Sequence, residues 1–378
     1  MPSTQIFPLG KIATSDDVVD RREFIQETKL RLLNGNSVML SGPRRTGKSS
    51  VSYEIIRQLQ LEGCYTASVD LLYVNSIEEL AAKLIQSILE NRVGLLSQVP
   101  TVFRHLKEIL SNSKLHAKIQ DLDLGITFNG QKSPLELLET AIFTAEKMAE
   151  KDNKRMVILF DEFQELDRLG DDSLLKRLRS IFQHQERTSY YFLGSESSLL
   201  NTIFADRRQA FYRFATLITL PSIPNDEWKQ YITTKLNNEH IDITDSAFSL
   251  LIGRTGGHPY CVMSVILNAY YYAKVNNTAE INAEVLNFAY EQSMTQLNIV
   301  YEDQWQHIRK FKGSDKTVLS ILTGQPLYKK DDAVANVNRA IKNLTRLSII
   351  EKGENRGEYH ILEPMFGDWI LRKTTTNN

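Results

Sequence analysis

The chain has 378 residues, and its 45 lysines and arginines against 46 aspartates and glutamates leave a formal net charge of −1, which excludes a protein that grips nucleic acid along its whole surface. Its 42% hydrophobic content suits about two or three domains that each bury a core, and two cysteines without metal-ligand spacing, Cys64 and Cys261, suit a reducing cytosol. No apolar run approaches the ~20 residues that span a bilayer and no basic-then-apolar signal opens the sequence, so a soluble, cytoplasmic chain with no membrane partner is expected.

Residues 1–16 lack apolar periodicity and are expected to form an arm ahead of a core over 17–220. Asp17 to Leu33 reads as a helix with Phe24, Ile25, Leu30, Leu32 and Leu33 on its apolar side, ended by Asn34-Gly35. Val38-Met39-Leu40 reads as a strand, and Ser50 to Leu61 reads as a helix with Val51, Ile55, Ile56 and Leu59 on one face. Between them, Gly42-Pro43-Arg44-Arg45-Thr46-Gly47-Lys48-Ser49 fits the phosphate-loop pattern G-x-x-x-x-G-K-[ST] in the strand-then-helix context that pattern requires. The glycines let backbone N–H groups, through Ser50 at the helix start, turn toward phosphate oxygens, and the helix N-terminus adds its positive dipole end. Lys48 is expected to reach the β- and γ-phosphates and the Ser49 hydroxyl to ligate Mg²⁺. The sequence therefore predicts a site for a nucleoside triphosphate.

Tyr65 to Asp70 reads as a strand and Ser76 to Glu90 as a helix; 91–133 exceeds what a minimal nucleotide fold needs and is expected to be an edge insertion. That insertion holds a helical pattern at Val102 to Leu110 and period-2 alternation at Leu122, Leu124, Ile126 and Phe128. After a helix over Leu135 to Lys151, Met156 to Phe160 is a short apolar run suited to a strand buried on both faces. It ends in Asp161-Glu162, where open α/β sheets bind ligands. Asp161 is expected to hold Mg²⁺ through water opposite Ser49, and Glu162 to orient or deprotonate the attacking water, which implies hydrolysis as well as binding. Strands alternating with helices, ending in Tyr190 to Gly194 and Ala215 to Leu220, predict an α/β class with a parallel sheet covered on both faces.

Residues 221–300 read as a helical lid, with Trp228 to Asn287 all helical, and 301–378 as a winged helix. In the latter, a helix at Thr317 to Leu322 precedes one at Ala333 to Leu347, and two short strands flank a glycine-containing turn. On the second helix Val334, Val337, Ile341 and Leu344 share one face, with Arg339, Lys342 and Arg346 opposite. Those three are candidate contacts to double-stranded DNA, although 301–378 carries only 13 lysines and arginines against 10 aspartates and glutamates, so a solvated basic face on a module that binds protein or its own ATPase stays open.

The phosphate loop, the run Asp161-Glu162-Phe163-Gln164 and several later segments resemble P-loop ATPases of the AAA+/STAND assemblage, above all archaeal- and bacterial-type ATPases with a C-terminal winged helix. The resemblance spans about residues 17–372 and implies ATP with Mg²⁺; no guanine-reading Asn-Lys-x-Asp run is present. It implies that Ser195 senses the γ-phosphate and orients the lytic water, against the alternative that it caps a helix at Glu196 to Leu200. It places Val19 and Arg21 near the adenine, and Arg213, with Arg207 and Arg208 as fallbacks, at a γ-phosphate, often a neighbouring subunit's. Gly256-Gly257-His258-Pro259 is similar to the G-x-P motif of STAND ATPases, which brings His258 and Pro259 toward phosphate and leaves open whether His258 or Arg254 is the sensor. Two functions follow: a STAND-like switch that changes oligomeric state with ATP and answers to a protein partner, or an ATP-controlled DNA loader or remodeller like origin-recognition relatives.

Overall fold

The computed structural model describes residues 5–13, 15–93, 133–169, 173–195, 197–328, 333–353, 355 and 357–376. Helix α1 (Arg22–Leu33), strand β1 (Val38–Ser41) and helix α2 (Lys48–Leu61) come first, followed by β2 (Tyr65–Asp70) and α3 (Ile77–Val93). The helix and the alternation expected within 102–128 lie outside the described residues. Helix α4 (Pro134–Lys151) begins at a capping box in which Ser133 and Glu136 bond each other's backbone N–H. Strand β3 (Met156–Asp161), helix α5 (Leu174–Phe182), strand β4 (Thr188–Gly194), helix α6 (Ser197–Ala205) and strand β5 (Thr216–Thr219) complete the core.

The sheet has five strands in the order β2-β3-β4-β1-β5, and every pair is parallel. Side-chain alternation divides its two faces. Val157, Leu159, Tyr191 and Leu193 pack with Ile25, Leu32, Val51 and Ile55 of α1 and α2. Ile158, Phe160, Tyr190 and Phe192 pack on the other side with α3, α4, α5 and α6. That second face holds an aromatic cluster, with Phe163 against Phe192 at a centroid distance of 4.5 Å and Phe204 against Phe192 at 5.2 Å. A central strand with no polar side to show water gives the site a stiff floor.

Helices α7 (Asn225–Asn237), α8 (Asp245–Thr255), α9 (Pro259–Asn276) and α10 (Ala283–Arg309) follow. The expectation of uninterrupted helix from Trp228 to Asn287 is corrected by two short strands, β6 (Asp242–Ile243) and β7 (Glu280–Ile281), which pair in parallel. The edge expected between residues 300 and 301 falls inside the 27-residue α10, whose buried Met294, Leu297, Tyr301, Trp305 and Ile308 keep helical spacing across it. No glycine, proline or cap interrupts that stripe.

Helices α11 (Ser314–Leu322), α12 (Val334–Arg346) and α13 (Pro364–Thr376) surround an antiparallel pair, β8 (Ile350–Lys352) with β9 (Tyr359–Ile361). One continuous core joins these elements to α7–α10 and contains Phe366 and Trp369 next to Tyr301. On α12 the buried set is Val337, Ala340, Ile341 and Leu344, while Val334, expected to face inward, is 59% exposed at the first turn. Ala340 closes the inward stripe one turn further on.

Phe192→Ala should cost about 3–5 kcal/mol through the cavity it leaves in the aromatic cluster, whereas Leu61→Ala, at a side chain 74% exposed, should stay within about 0.5 kcal/mol. Urea midpoints of the two variants check this; equal midpoints would refute the packing described.

Candidate functional site

The site sits where β1 and β3 end. After β1 the chain turns through residues 42–47, and Gly47 adopts φ 92° where a Cβ would press to 3.1 Å from the Arg21 Nη1 atom. Arg21 itself is buried: its Nη1 and Nη2 donate to the Thr46 carbonyl at 3.2 Å each, and its Nε to the Pro221 carbonyl at 3.1 Å. Its guanidinium thus clamps the loop from behind. Lys48 opens α2, is buried, and rests its ammonium on the Pro43 carbonyl. Burial pushes Lys48 down to about 8, against the pull of Glu162 and Asp161.

Opposite stands the end of β3. The Asp161 carboxylate accepts from Ser49 Oγ at 3.3 Å and from the Glu162 backbone N–H at 2.9 Å. Burial first, then the Glu162 charge, pushes Asp161 up to about 6. Glu162 turns at φ 51°, a left-handed conformation costing roughly 1–2 kcal/mol, which swings its side chain toward β4. There the Ser195 hydroxyl donates to Glu162 Oε2 at 2.9 Å, the Ser195 N–H donates at 3.3 Å, and the Gln164 amide donates to the same oxygen. Arg44 Nε donates to Ser195 Oγ at 3.3 Å.

Above these groups lies a cavity of about 540 Å³. Its polar end carries Lys48, Ser49, Ser50, Asp161, Glu162 and Ser195. Its apolar end is lined by Val19, Ile223, Trp228, Pro259, Tyr260 and Met263, and residues 8–13 close the side. A cation and an alcohol facing two acids, beside an apolar slot, fits an anionic ligand with a planar apolar group at its other end.

The scan of protein families matches residues 18–265 to an ATPase domain found predominantly in Archaea, more than half of the chain. The chain belongs to that family. It is an ATP-hydrolysing enzyme with a P-loop core. Among solved structures, a Walker-type ATPase of Pyrococcus abyssi superposes with a TM-score of 0.70 at 17% identity, over 97% of this chain and 99% of that one. The ORC2 protein of Aeropyrum pernix, determined as ADPNP–ADP complexes, superposes with a TM-score of 0.61 at 12% identity, over 99% of each chain. At these identities the likeness is one of fold. No curated protein matches this chain in sequence.

In this ATPase Arg44, Arg45 and residues 47–50 of the loop come together with Asp161, Glu162, Ser195, Val19 and Pro259 at one cavity, which Gly42, Pro43 and Thr46 do not line. Arg21 lines it but spends its donors on backbone carbonyls. His258 does not line it. It faces a second cavity of about 300 Å³ together with Arg44, Arg45 and Glu363, and burial followed by the Arg45 charge pushes it down to about 4. Arg254 points elsewhere, 3.7 Å from Glu291 and over the Tyr290 ring. Arg213, at φ 56°, is exposed ahead of β5 and lies over Tyr212; Arg207 is exposed and Arg208 pairs with Asp206. Arg339, Lys342 and Arg346 are exposed on α12.

The arm's part was missed from sequence. Phe7 is buried edge-on against Tyr231 at 6.1 Å, and the Ala13 N–H donates to Ser50 Oγ at 3.0 Å, tying the arm to α2. The run Ile6-Phe7-Pro8-Leu9 carried the signal: an apolar patch in an otherwise polar leader has to be covered.

His258 gives a pH prediction. Its folded pKa of about 4 lies below the unfolded value, so between those limits the unfolded chain binds the extra proton. Its contribution to stability should be complete above about pH 6.5 and be lost as pH falls toward 4. Urea midpoints across that range should fall less steeply in His258→Gln; parallel profiles would contradict a buried neutral imidazole.

Proposed function

We propose that this ATPase is a nucleotide-controlled conformational or assembly switch, in which Mg²⁺-bound ATP ties the core to the arm and to a helical lid over 221–300. The observation that supports this most is that the cavity is built from three parts of the chain: residues 8–13, the P-loop core, and 221–300 through Ile223, Trp228 and the start of α9. A ligand filling it is gripped only while all three stay together.

In this reading Lys48 and the N-terminal end of α2 hold the phosphates, and the apolar end around Val19 and Tyr260 takes the adenine. Ser49 and Asp161 fit a divalent cation: an alcohol and a desolvated carboxyl, 3.3 Å apart, gain from a positive charge between them and the phosphates. Bound there, Mg²⁺ would neutralise charge on the β- and γ-phosphates. Glu162 orients and deprotonates the attacking water once its side chain faces the γ-phosphate. Arg213, exposed ahead of the sheet's edge strand, is then suited to a neighbouring subunit's site in an ATP-dependent homo-oligomer.

A second reading, control of a DNA-binding module, is favoured by one feature. Helix α12 buries Val337, Ile341 and Leu344 and leaves Arg339, Lys342 and Arg346 exposed, ahead of the β8–β9 ribbon, as in a winged helix spanning 301–378.

Lys48→Ala should abolish binding of a fluorescent ATP analogue, whereas Glu162→Gln should bind normally and hydrolyse at least ~10²-fold more slowly. Parent-like turnover in both variants means the site is misassigned. Sizing with and without a non-hydrolysable ATP analogue tests the switch, and a change in oligomeric state is the expected result. Gel shifts over a salt series test the second reading: duplex binding with a slope near −3 that Arg339, Lys342 and Arg346 supply would favour DNA control.

A further inference from the structure

Two arginines stand side by side in the phosphate loop, and the structure sends them to different places. The left-handed turn at Arg45, φ 65°, parts their side chains. Arg45 lies over the Tyr260 ring at 4.5 Å and places Nη1 3.6 Å from Glu363 Oε2. Arg44 leans the other way, and its Nε donates to Ser195 Oγ at 3.3 Å. Among the described residues Arg44 enters no ion pair, and its Nη1 and Nη2 donate to no protein atom. A guanidinium forks into five N–H donors, so all but one remain for a ligand.

Those donors stand at the reacting end of the nucleotide cavity. Arg44 lines it together with Lys48, Asp161, Glu162 and Ser195. The Ser195 hydroxyl that Arg44 touches donates in turn to Glu162 Oε2 at 2.9 Å. One hydroxyl therefore separates the guanidinium from the carboxylate. Beyond the effect of burial, the Arg44 charge also acts against the Lys48 ammonium. A second cation so near Lys48, with no carboxylate paired to it, gains most when a polyanion lies between the two.

We propose that Arg44 is a catalytic residue: its guanidinium binds the γ-phosphoryl oxygens of ATP in the same chain and stabilises the charge they carry in the transition state. The inference rests on the reading of Glu162 as the base. In that step the water oxygen bonds to the γ-phosphorus and its proton passes to Glu162. The bond to the bridging oxygen breaks, and its electron pair stays on ADP. A water held by Glu162 lies one hydroxyl away from Arg44, so the phosphoryl group it attacks comes within the fork's reach. Arg44 moves no proton. It meets negative charge spread over the equatorial oxygens, which parallel N–H donors fit. Arg213 lines neither this cavity nor the smaller one beside it, so a neighbour's Arg213 would add to a site that already holds a guanidinium.

The test uses the full chain. Arg44 is exposed, so Arg44→Ala leaves the core intact. It should lower kcat at least ~10²-fold while Kd for a non-hydrolysable ATP analogue stays within about threefold. Binding of ADP with aluminium fluoride, which mimics the phosphoryl group in flight, should weaken at least ~10²-fold. Arg44→Lys should stay at least ~10-fold below the parent in kcat, because a point charge lacks the fork. Mixing Arg44→Ala with Glu162→Gln should restore no turnover, since the two residues have to share a chain. A parent-like kcat in Arg44→Ala, or equal weakening of the analogue and the fluoride complex, overturns the catalytic role. Turnover restored by mixing overturns action within one chain. If instead Glu162→Gln hydrolyses as fast as the parent, the reading of Glu162 as the base fails, and that result is separate from a working base without help from Arg44.

Discussion

The rest of the structure depends on keeping one ammonium group out of water. Lys48 sits at the head of α2, buried against its own loop, where desolvation lowers its pKa to about 8 yet leaves it charged at neutral pH. Its full counter-charges among the described residues are Asp161 and Glu162, and Asp161 is itself pushed up to about 6 by the same dry surroundings. Lys48 and Asp161 are therefore held in less solvation than they would choose, and a polyanion carrying a divalent cation relieves both together. Holding them takes a stiff support, which the buried strands β1, β3 and β4 and the stacked aromatic rings behind them provide.

The sequence disclosed those features whose cause is local. The phosphate loop, the apolar run before Asp161 and α2 are written in consecutive residues and appear within a residue or two of their expected places, whereas α1 starts at Arg22 and not at Asp17, because Asp20 and Arg21 turn at positive φ. What stayed hidden depends on partners distant in the chain. The strand order puts β4 between β1 and β3, and only that order lets Ser195 meet Glu162. The arm looked featureless because Phe7 finds its cover in Tyr231. His258 sits at the head of α9, as its proline neighbour signals, yet the side of the loop it faces is set by packing against the C-terminal elements. The edge expected at residues 300 and 301 from the winged-helix pattern that follows meets a helix that simply continues.

Residues that tie one part of the chain to another share a backbone property. Arg21, Arg45, Glu162 and Ser348 all lie at positive φ, where a side chain with a Cβ is strained. Arg21 joins the loop to the linker at Pro221, Arg45 joins it to Glu363, and Ser348 joins the C-terminal turn to Ser195. Conformations of this kind persist only where surrounding contacts over-determine them, and they mark places where two arrangements lie close in free energy. Three of them, Arg21, Arg45 and Glu162, line the cavity of about 540 Å³, and Ser348 lines the smaller one beside it, a placement that supports the proposed switch.

Charge decides how the two functional readings relate. The three cations exposed on α12 belong to a chain whose formal net charge is −1, so the long-range field that would draw a single copy to DNA is weak. Three phosphate contacts released as counterions give only a modest affinity at physiological salt. Several copies bound side by side multiply that affinity through effective concentration, without any new contact in each copy. On the two proposed readings, DNA binding through α12 would be strongest in an assembly, which would make the proposed change of oligomeric state and the proposed DNA role successive steps of one mechanism.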